Sequence, residues 1–320
     1  MEITLSDKLD NTKLFFGPMS KNIVDAVINN GSYIGLIASR RQIDHAGGYV
    51  NNWTTRTFVE YVRSRTDKVL ICRDHGGIGQ GEIFDDGLWS LWEDIALMDI
   101  VHIDPWKVLE FKPAVEYTVK VIEKGYEINP DCLYEVGTEQ AIYDMNPHLF
   151  YHFISELKSK LGDKFKNIIF GVIQSGTSLK AGLNTGMYSE DRLQLMNNVC
   201  KRHWLKSKEH NGDYLPASLV KQKFNLGLDA INIAPEIANL ETKHILEKIS
   251  DKNKWFDLVI KDGHWKKWFP SDFNPKENIN LVLNVCGHYV LSRPDFTFDL
   301  NLVKDYVQAE INSFISERYG

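Results

Sequence analysis

The feature that most constrains this chain is a rhythm met eight times: a short apolar, β-branched run, then a longer segment with helical periodicity. Such a run followed by a 3.6-residue pattern reads as a strand and the helix that crosses back over it, and strands joined this way pair in parallel. Strands are expected at 13–19, 33–39, 69–74, 100–104, 132–138, 168–174, 204–209 and 230–234. Helices are expected at 20–29, 54–65, 88–98, 113–124, 147–161, 189–203, 216–224 and 240–249. Two of them open on Pro147 and Pro216, where the missing N–H has no helical partner to lose. Eight βα units close into an α/β fold of the (β/α)8 TIM-barrel class, and 320 residues suffice for one such domain. The barrel is expected over 1–250. Beyond Ile249 the rhythm breaks, with Trp255, Trp265, Trp268 and Phe269 inside a Lys/Asp-rich stretch and an amphipathic helix at 300–315, so 251–320 is expected to be a mainly helical extension packed on the barrel.

Composition narrows the partners. With 37 Lys and Arg against 43 Asp and Glu, a net charge of -6 and no basic run, the chain lacks the clustered cations that a phosphate backbone or acidic membrane requires. No nucleic-acid or membrane partner is expected, and the substrate should be a small molecule. Acidic and basic residues interrupt the first fourteen positions, unlike a secretory apolar core, and Cys72, Cys132, Cys200 and Cys286 are scattered; a cytoplasmic setting is expected.

In a barrel of this kind, polar residues just past each strand converge on one face. The second strand ends in Ser39-Arg40-Arg41-Gln42, the third in Asp74-His75-Gly76-Gly77, the fourth in His102-Ile103-Asp104 and the fifth in Glu135-Val136-Gly137-Thr138-Glu139. The sixth ends in Gln174-Ser175-Gly176, the seventh in Glu209-His210-Asn211-Gly212-Asp213 and the eighth in Asn232-Ile233-Ala234-Pro235-Glu236. Imidazoles and carboxylates ligate divalent metals, and spare carboxylates act as bases. His75 and His210, each beside acids and glycines, read as a metal pair; His102 alone reads first as a hydrogen-bonded structural imidazole and second as a substrate contact. The tandem Arg40-Arg41 offers bidentate anion recognition or, equally, a structural ion pair, and Lys180 is a weaker anion candidate. The glycines at 76–81 have the wrong spacing for a dinucleotide fingerprint and read as a loop beside the metal; His288 reads as part of a cluster sealing an apolar edge.

Taken in order, these segments resemble the class II ketose-bisphosphate aldolase superfamily over about 13–250. Residues 38–49 (ASRRQIDHAGGY) followed by Asp74-His75, together with 134–139 (YEVGTE) and Gln174-Ser175-Gly176, resemble the Z-type, non-catalytic subunits of tagatose-1,6-bisphosphate aldolase and related ketose 4-epimerases. Residues 231–236 (INIAPE) are similar to the last strand of the catalytic Y-type subunits.

The resemblance implies a zinc ion on His75 and His210, with Asp74 as the acid/base. The family's third ligand, a histidine on strand six, is replaced here by Gln174, so Gln174 or Glu139 would complete the shell, a set that also suits Mn²⁺, Co²⁺ or Ni²⁺. Catalytic relatives bind phosphate at a Gly-Ser loop after strand seven; here that place reads Asn211-Gly212-Asp213, where a carboxylate would repel it. The implied activity is metal-dependent retro-aldol cleavage of the C3–C4 bond of a ketose or ketose phosphate through an enediolate, with Asn232 bonding the enediolate, Asp104 orienting a hydroxyl and Glu135 as ligand or second acid. Release of the aldehyde makes an aldolase; re-attack on its other face makes a 4-epimerase. The alternative is a non-catalytic subunit stabilising a catalytic aldolase subunit; homo-oligomerisation is equally open.

Overall fold

A computed structural model of the protein describes residues 4–138 and 146–319. Eight parallel strands close into a barrel, each hydrogen-bonded to its sequence neighbours and the first to the eighth. They are Leu14–Phe16, Gly35–Ser39, Leu70–Gly76, Ile100–Ile103, Leu133–Gly137, Ile168–Ile173, Lys206–Glu209 and Ala230–Ile233. All eight fall inside or within two residues of the runs expected from periodicity. A two-strand hairpin, Leu179–Lys180 with Leu183–Asn184, rises after the sixth strand and was not expected.

Side-chain alternation explains how one barrel holds both a dry base and a polar mouth. Phe15, Ile37, Leu70, Cys72, Ile100, Phe170 and Ala230 fill the lower lumen, and Leu9 of the N-terminal helix Leu5–Asn11 joins them. Moving two residues along the same strands turns Cys72 into Asp74, Ile100 into His102 and Ala230 into Asn232, so the inward positions become polar within one further layer. Outward positions face the helices. Arg73 is fully buried there, donating to both carboxylate oxygens of Asp94 at 2.7 Å and to the carbonyls of Ala38 and Ile43.

The stretch beyond Ile249 is not one body. Helices Lys252–Asp262 and Ile279–Cys286 build a separate apolar cluster around Trp255, Phe256, Leu283 and Val290. The last helix, Lys304–Tyr319, instead enters the barrel's own core through Val307, Ile311, Phe314 and Ile315, with Phe314 edge-on to Phe16 of the first strand. It fills the place in the helical ring beside the helix Pro235–Lys248.

That neighbouring helix carries a fully buried acid, Glu241, whose Oε1 accepts from Asn22 at 2.8 Å. Burial pushes its carboxyl up to about 7 from 4.5. A raised acid favours the protonated fold, so stability is undiminished below the unfolded value and falls as pH climbs toward the folded one. Glu241→Gln is expected to stabilise the protein by about 2–3 kcal/mol at pH 8 and negligibly at pH 4.5, read from urea midpoints at the two pH values.

Candidate metal centre and active site

Asp74 and His75 are adjacent in sequence, and a regular strand would send them to opposite faces. The third strand avoids this with a register shift against the fourth between Arg73 and Gly76, and with a left-handed backbone at His75 (φ 47°). Bulges of this kind re-aim side chains at barrel rims, and a non-glycine residue held at positive φ marks a site where strain is retained for function. Gly76 completes the device: a Cβ there would lie 2.8 Å from the His102 carbonyl oxygen.

As a result Asp74, His75, His102 and His210, from three strand ends, bring donor atoms within 4.8 Å of one another. His75 Nε2 lies 3.5 Å from His210 Nδ1, Asp74 Oδ1 3.1 Å from His210 Nδ1, and Asp74 Oδ1 3.5 Å from His75 Nε2. Metal–ligand bonds of about 2.0–2.2 Å in a tetrahedron separate donor atoms by roughly 3.3–3.6 Å. The three donors therefore already stand at the spacing of one face of such a shell.

Both imidazoles are turned by carboxylates behind them. His75 Nδ1 lies 2.7 Å from Asp104 Oδ2, and His210 Nε2 hydrogen-bonds Glu135 Oε1. A carboxylate accepts, so each ring donates from its outer nitrogen and presents its inner lone pair to the shared point, the arrangement by which metal-binding histidines are fixed. Glu135 is fully buried, with Lys208 Nζ 2.8 Å from its other oxygen. Burial alone would raise the Glu135 carboxyl, yet Lys208 and His210 hold it well below the ordinary range. Burial opposes ionisation at Asp74 too, yet its carboxyl lies well below the ordinary range because of its proximity to His75 and its contact with His210.

The other expected site residues divide. His102 is fully buried; its Nε2 donates to the Gly137 carbonyl at 3.0 Å and its Nδ1 accepts the His75 N–H at 3.3 Å. Both ring positions are thus committed, burial lowers its pKa, and it forms the floor of the site instead of a substrate contact. Asp104 and Glu135, expected as catalytic, are both wholly buried behind the histidines and hydrogen-bonded to them. Arg40 is also corrected: its guanidinium chelates Asp85 at 2.6 and 2.7 Å and reaches Asp44 at 3.0 Å, which pins the loop after the third strand. Gln174, expected as a ligand, does not line the cavity and donates weakly to Thr177 O at 3.5 Å. Lys180 stands on the hairpin beside an adjoining cleft, and Glu139 lies outside the described residues.

Above the three donors is a cavity of about 280 Å³ lined by Arg41, Gln42, Asn232 and Asp213 among others, and roofed by Lys267, Trp268 and Tyr289 of the extension. Gln42 is tied to Ser39 N and Met19 Sδ, both at 2.7 Å. Asn232 is 4% exposed, and neither polar atom of its amide has a partner among the described residues. Asp213 Oδ1 accepts the N–H groups of Ala234 and Glu236 at 2.9 and 2.8 Å; burial pushes its carboxyl up to about 8, and in either charge state it occupies the amides at the start of the helix Pro235–Lys248. Lys208 and the roof were not foreseen.

No protein-family model and no curated protein matches the chain. Among solved structures, it shares its fold over 96% of its length with 99% of a probable tagatose 6 phosphate kinase from Sinorhizobium meliloti 1021 (TM-score 0.76, 12% identity). A fructuronate-tagaturonate epimerase, UxaE from Cohnella laeviribosi, matches over 99% of this chain and 86% of its own (TM-score 0.64, 10% identity). The YdjI aldolase from Escherichia coli K12 matches over 98% and 94% (TM-score 0.59, 12% identity). The fold is therefore the (β/α)8 barrel shared with these three structures.

Proposed function

We propose that the protein is a divalent-metal-dependent enzyme that breaks and re-forms the C3–C4 bond of a ketose or ketose phosphate, acting as a 4-epimerase in preference to an aldolase. The observation that carries this reading is the trio of inward donors, Asp74 Oδ1, His75 Nε2 and His210 Nδ1, at mutual distances of 3.1–3.5 Å with a carboxylate behind each imidazole. Two nitrogens and one oxygen suit Zn²⁺ first and Mn²⁺, Co²⁺ or Ni²⁺ also. A cation bound there supplies Lewis-acid polarisation of the ketose carbonyl. Asp74 accepts the C4 hydroxyl proton on Oδ2, the oxygen outside the donor trio, as the bond breaks. Asn232 donates its amide N–H to the enediolate oxygen that develops. Tyr289 and Trp268 cover the cavity and exclude water, which favours recapture of the aldehyde over its loss. The epimerase and aldolase neighbours support a sugar substrate.

The test is metal analysis of the purified protein together with incubation in D₂O of fructose, tagatose, their 6-phosphates and 1,6-bisphosphates, fructuronate and tagaturonate. The expected result is about one equivalent of metal per chain and a C4 epimer with no deuterium at C4, because retro-aldol cleavage leaves that hydrogen on the aldehyde carbon. Triose release would make the protein an aldolase. Deuterium at C4 would replace retro-aldol chemistry by proton abstraction, and absence of both metal and turnover would sink the enzymatic reading in favour of a non-catalytic subunit.

A further inference from the structure

The cavity is lined by two chemically different groups of residues. The donor trio and Asn232 make one group, and Arg41 from the loop after the second strand with Lys267 from the extension makes the other. Among the described residues Arg41 has one loose ion-pair partner, Glu82, at 3.5 Å, and that carboxylate is 63% exposed to water. Lys267 Nζ sits 5.0 Å from the ring centres of Trp268 and Tyr289, and no carboxylate among the described residues forms an ion pair with it. Two cations line one cavity. Burial, and after it repulsion from Arg41, pull the Lys267 ammonium down to about 8. An anion entering between them would be drawn by both charges and would displace only Glu82, which water already solvates.

The helix start that also lines the cavity is closed to a second anion. The amides that start the helix Pro235–Lys248 are a natural phosphate cradle, but Asp213 already fills them from within the chain. A volume of about 280 Å³ sits at the small end of ligand cavities, about 300–1,000 Å³.

Resting on the reading above, we infer that Arg41 and Lys267 form the receiving site for a single terminal anion, so that the substrate is an open-chain ketose with one anionic end group, carboxylate or phosphate, and not a bisphosphate. Lys267 is then the specificity residue, brought to the barrel mouth by the extension.

Reduced, unreactive six-carbon probes separate this from catalysis. Calorimetric titrations of the full metal-loaded chain with glucitol, gluconate, glucitol 6-phosphate and glucitol 1,6-bisphosphate read binding alone. At least one mono-anion is expected to bind tenfold or more tightly than glucitol, with the tighter of gluconate and glucitol 6-phosphate naming the end group. The bisphosphate should gain nothing over the monophosphate. Lys267→Met should abolish the preference for the anion while leaving glucitol affinity and metal content unchanged, and Lys267→Arg should retain it. The inference is overturned if the mono-anions bind no better than glucitol, if the bisphosphate binds tenfold more tightly than the monophosphate, or if Lys267→Met keeps the preference. Anion selectivity in a protein that turns over no ketose would instead overturn the proposed chemistry and leave the anion site standing.

Discussion

Replacing His75 or His210 with alanine is expected to strip the protein of its bound divalent metal and to lower kcat/KM by about 10³-fold or more. The size follows from what each ring supplies. Among the described residues the trio supplies three donors, and losing one leaves two of them on that face; the Lewis-acid contribution, several kcal/mol, goes with it. The two variants should differ in a second respect. His210 donates to the buried Glu135, so its removal leaves that carboxylate with Lys208 alone in the lumen and should lower the melting temperature. His75 is less deeply placed and bonds Asp104, which also accepts from Gln80 and from the Trp106 N–H, so His75→Ala should melt near the parent. Elemental analysis after dialysis, steady-state kinetics and thermal melts together read all three effects. Full metal content and undiminished turnover in His75→Ala would remove the donor trio from the mechanism.

The sequence made the barrel legible because its eight strands are buried on both faces and therefore written almost entirely in apolar, β-branched residues. The seventh is the exception, Lys206-Ser207-Lys208-Glu209, and its polarity was itself the trace of an interior ion pair. Strand-end reasoning put Asp74, His75, Asp104, Glu135, His210 and Asn232 at one end of the barrel; alternation accounts for most of them, but bringing both Asp74 and His75 inward takes the bulge after Arg73, which no periodicity records. It could not rank them by depth. Which carboxylate touches substrate and which stands behind a histidine depends on one layer of barrel height, and an ordered list of strand ends carries no such coordinate. Arg40 and Arg41 show the same limit: two neighbours after one strand point to opposite sides, and only the position of Asp44 and Asp85 decides that Arg40 is spent on the loop while Arg41 reaches the cavity. Lys267, Trp268 and Tyr289 were hidden for another reason. Their path back over the mouth is set by packing of the aromatic cluster on Tyr49, whose ring lies 4.9 Å from Tyr289, and no local periodicity encodes a contact across 240 residues.

The lumen pair beneath the site supplies a separation of stability from function. Lys208 and Glu135 are both wholly buried, with the ammonium also 3.6 Å from the centre of the Phe15 ring. Removing one member of such a pair strands the other charge in apolar surroundings and costs about 3–5 kcal/mol, whereas removing both charges is often neutral or stabilising. Lys208→Met and Glu135→Gln should therefore each destabilise by about 3–5 kcal/mol, and the double variant should recover most of that loss, a strong coupling in the denaturation cycle. Metal affinity should follow a different rule. It depends on the carboxylate that turns the His210 ring, so Glu135→Gln and the double variant should both bind metal about 10–100-fold more weakly, while Lys208→Met, which keeps that carboxylate, should stay near the parent. Urea denaturation of the metal-free proteins and competitive metal titration give the two readouts independently. If the double variant regained metal affinity along with its stability, Glu135 would be only the counter-ion of Lys208, and the orientation of His210 would have to come from elsewhere in the barrel.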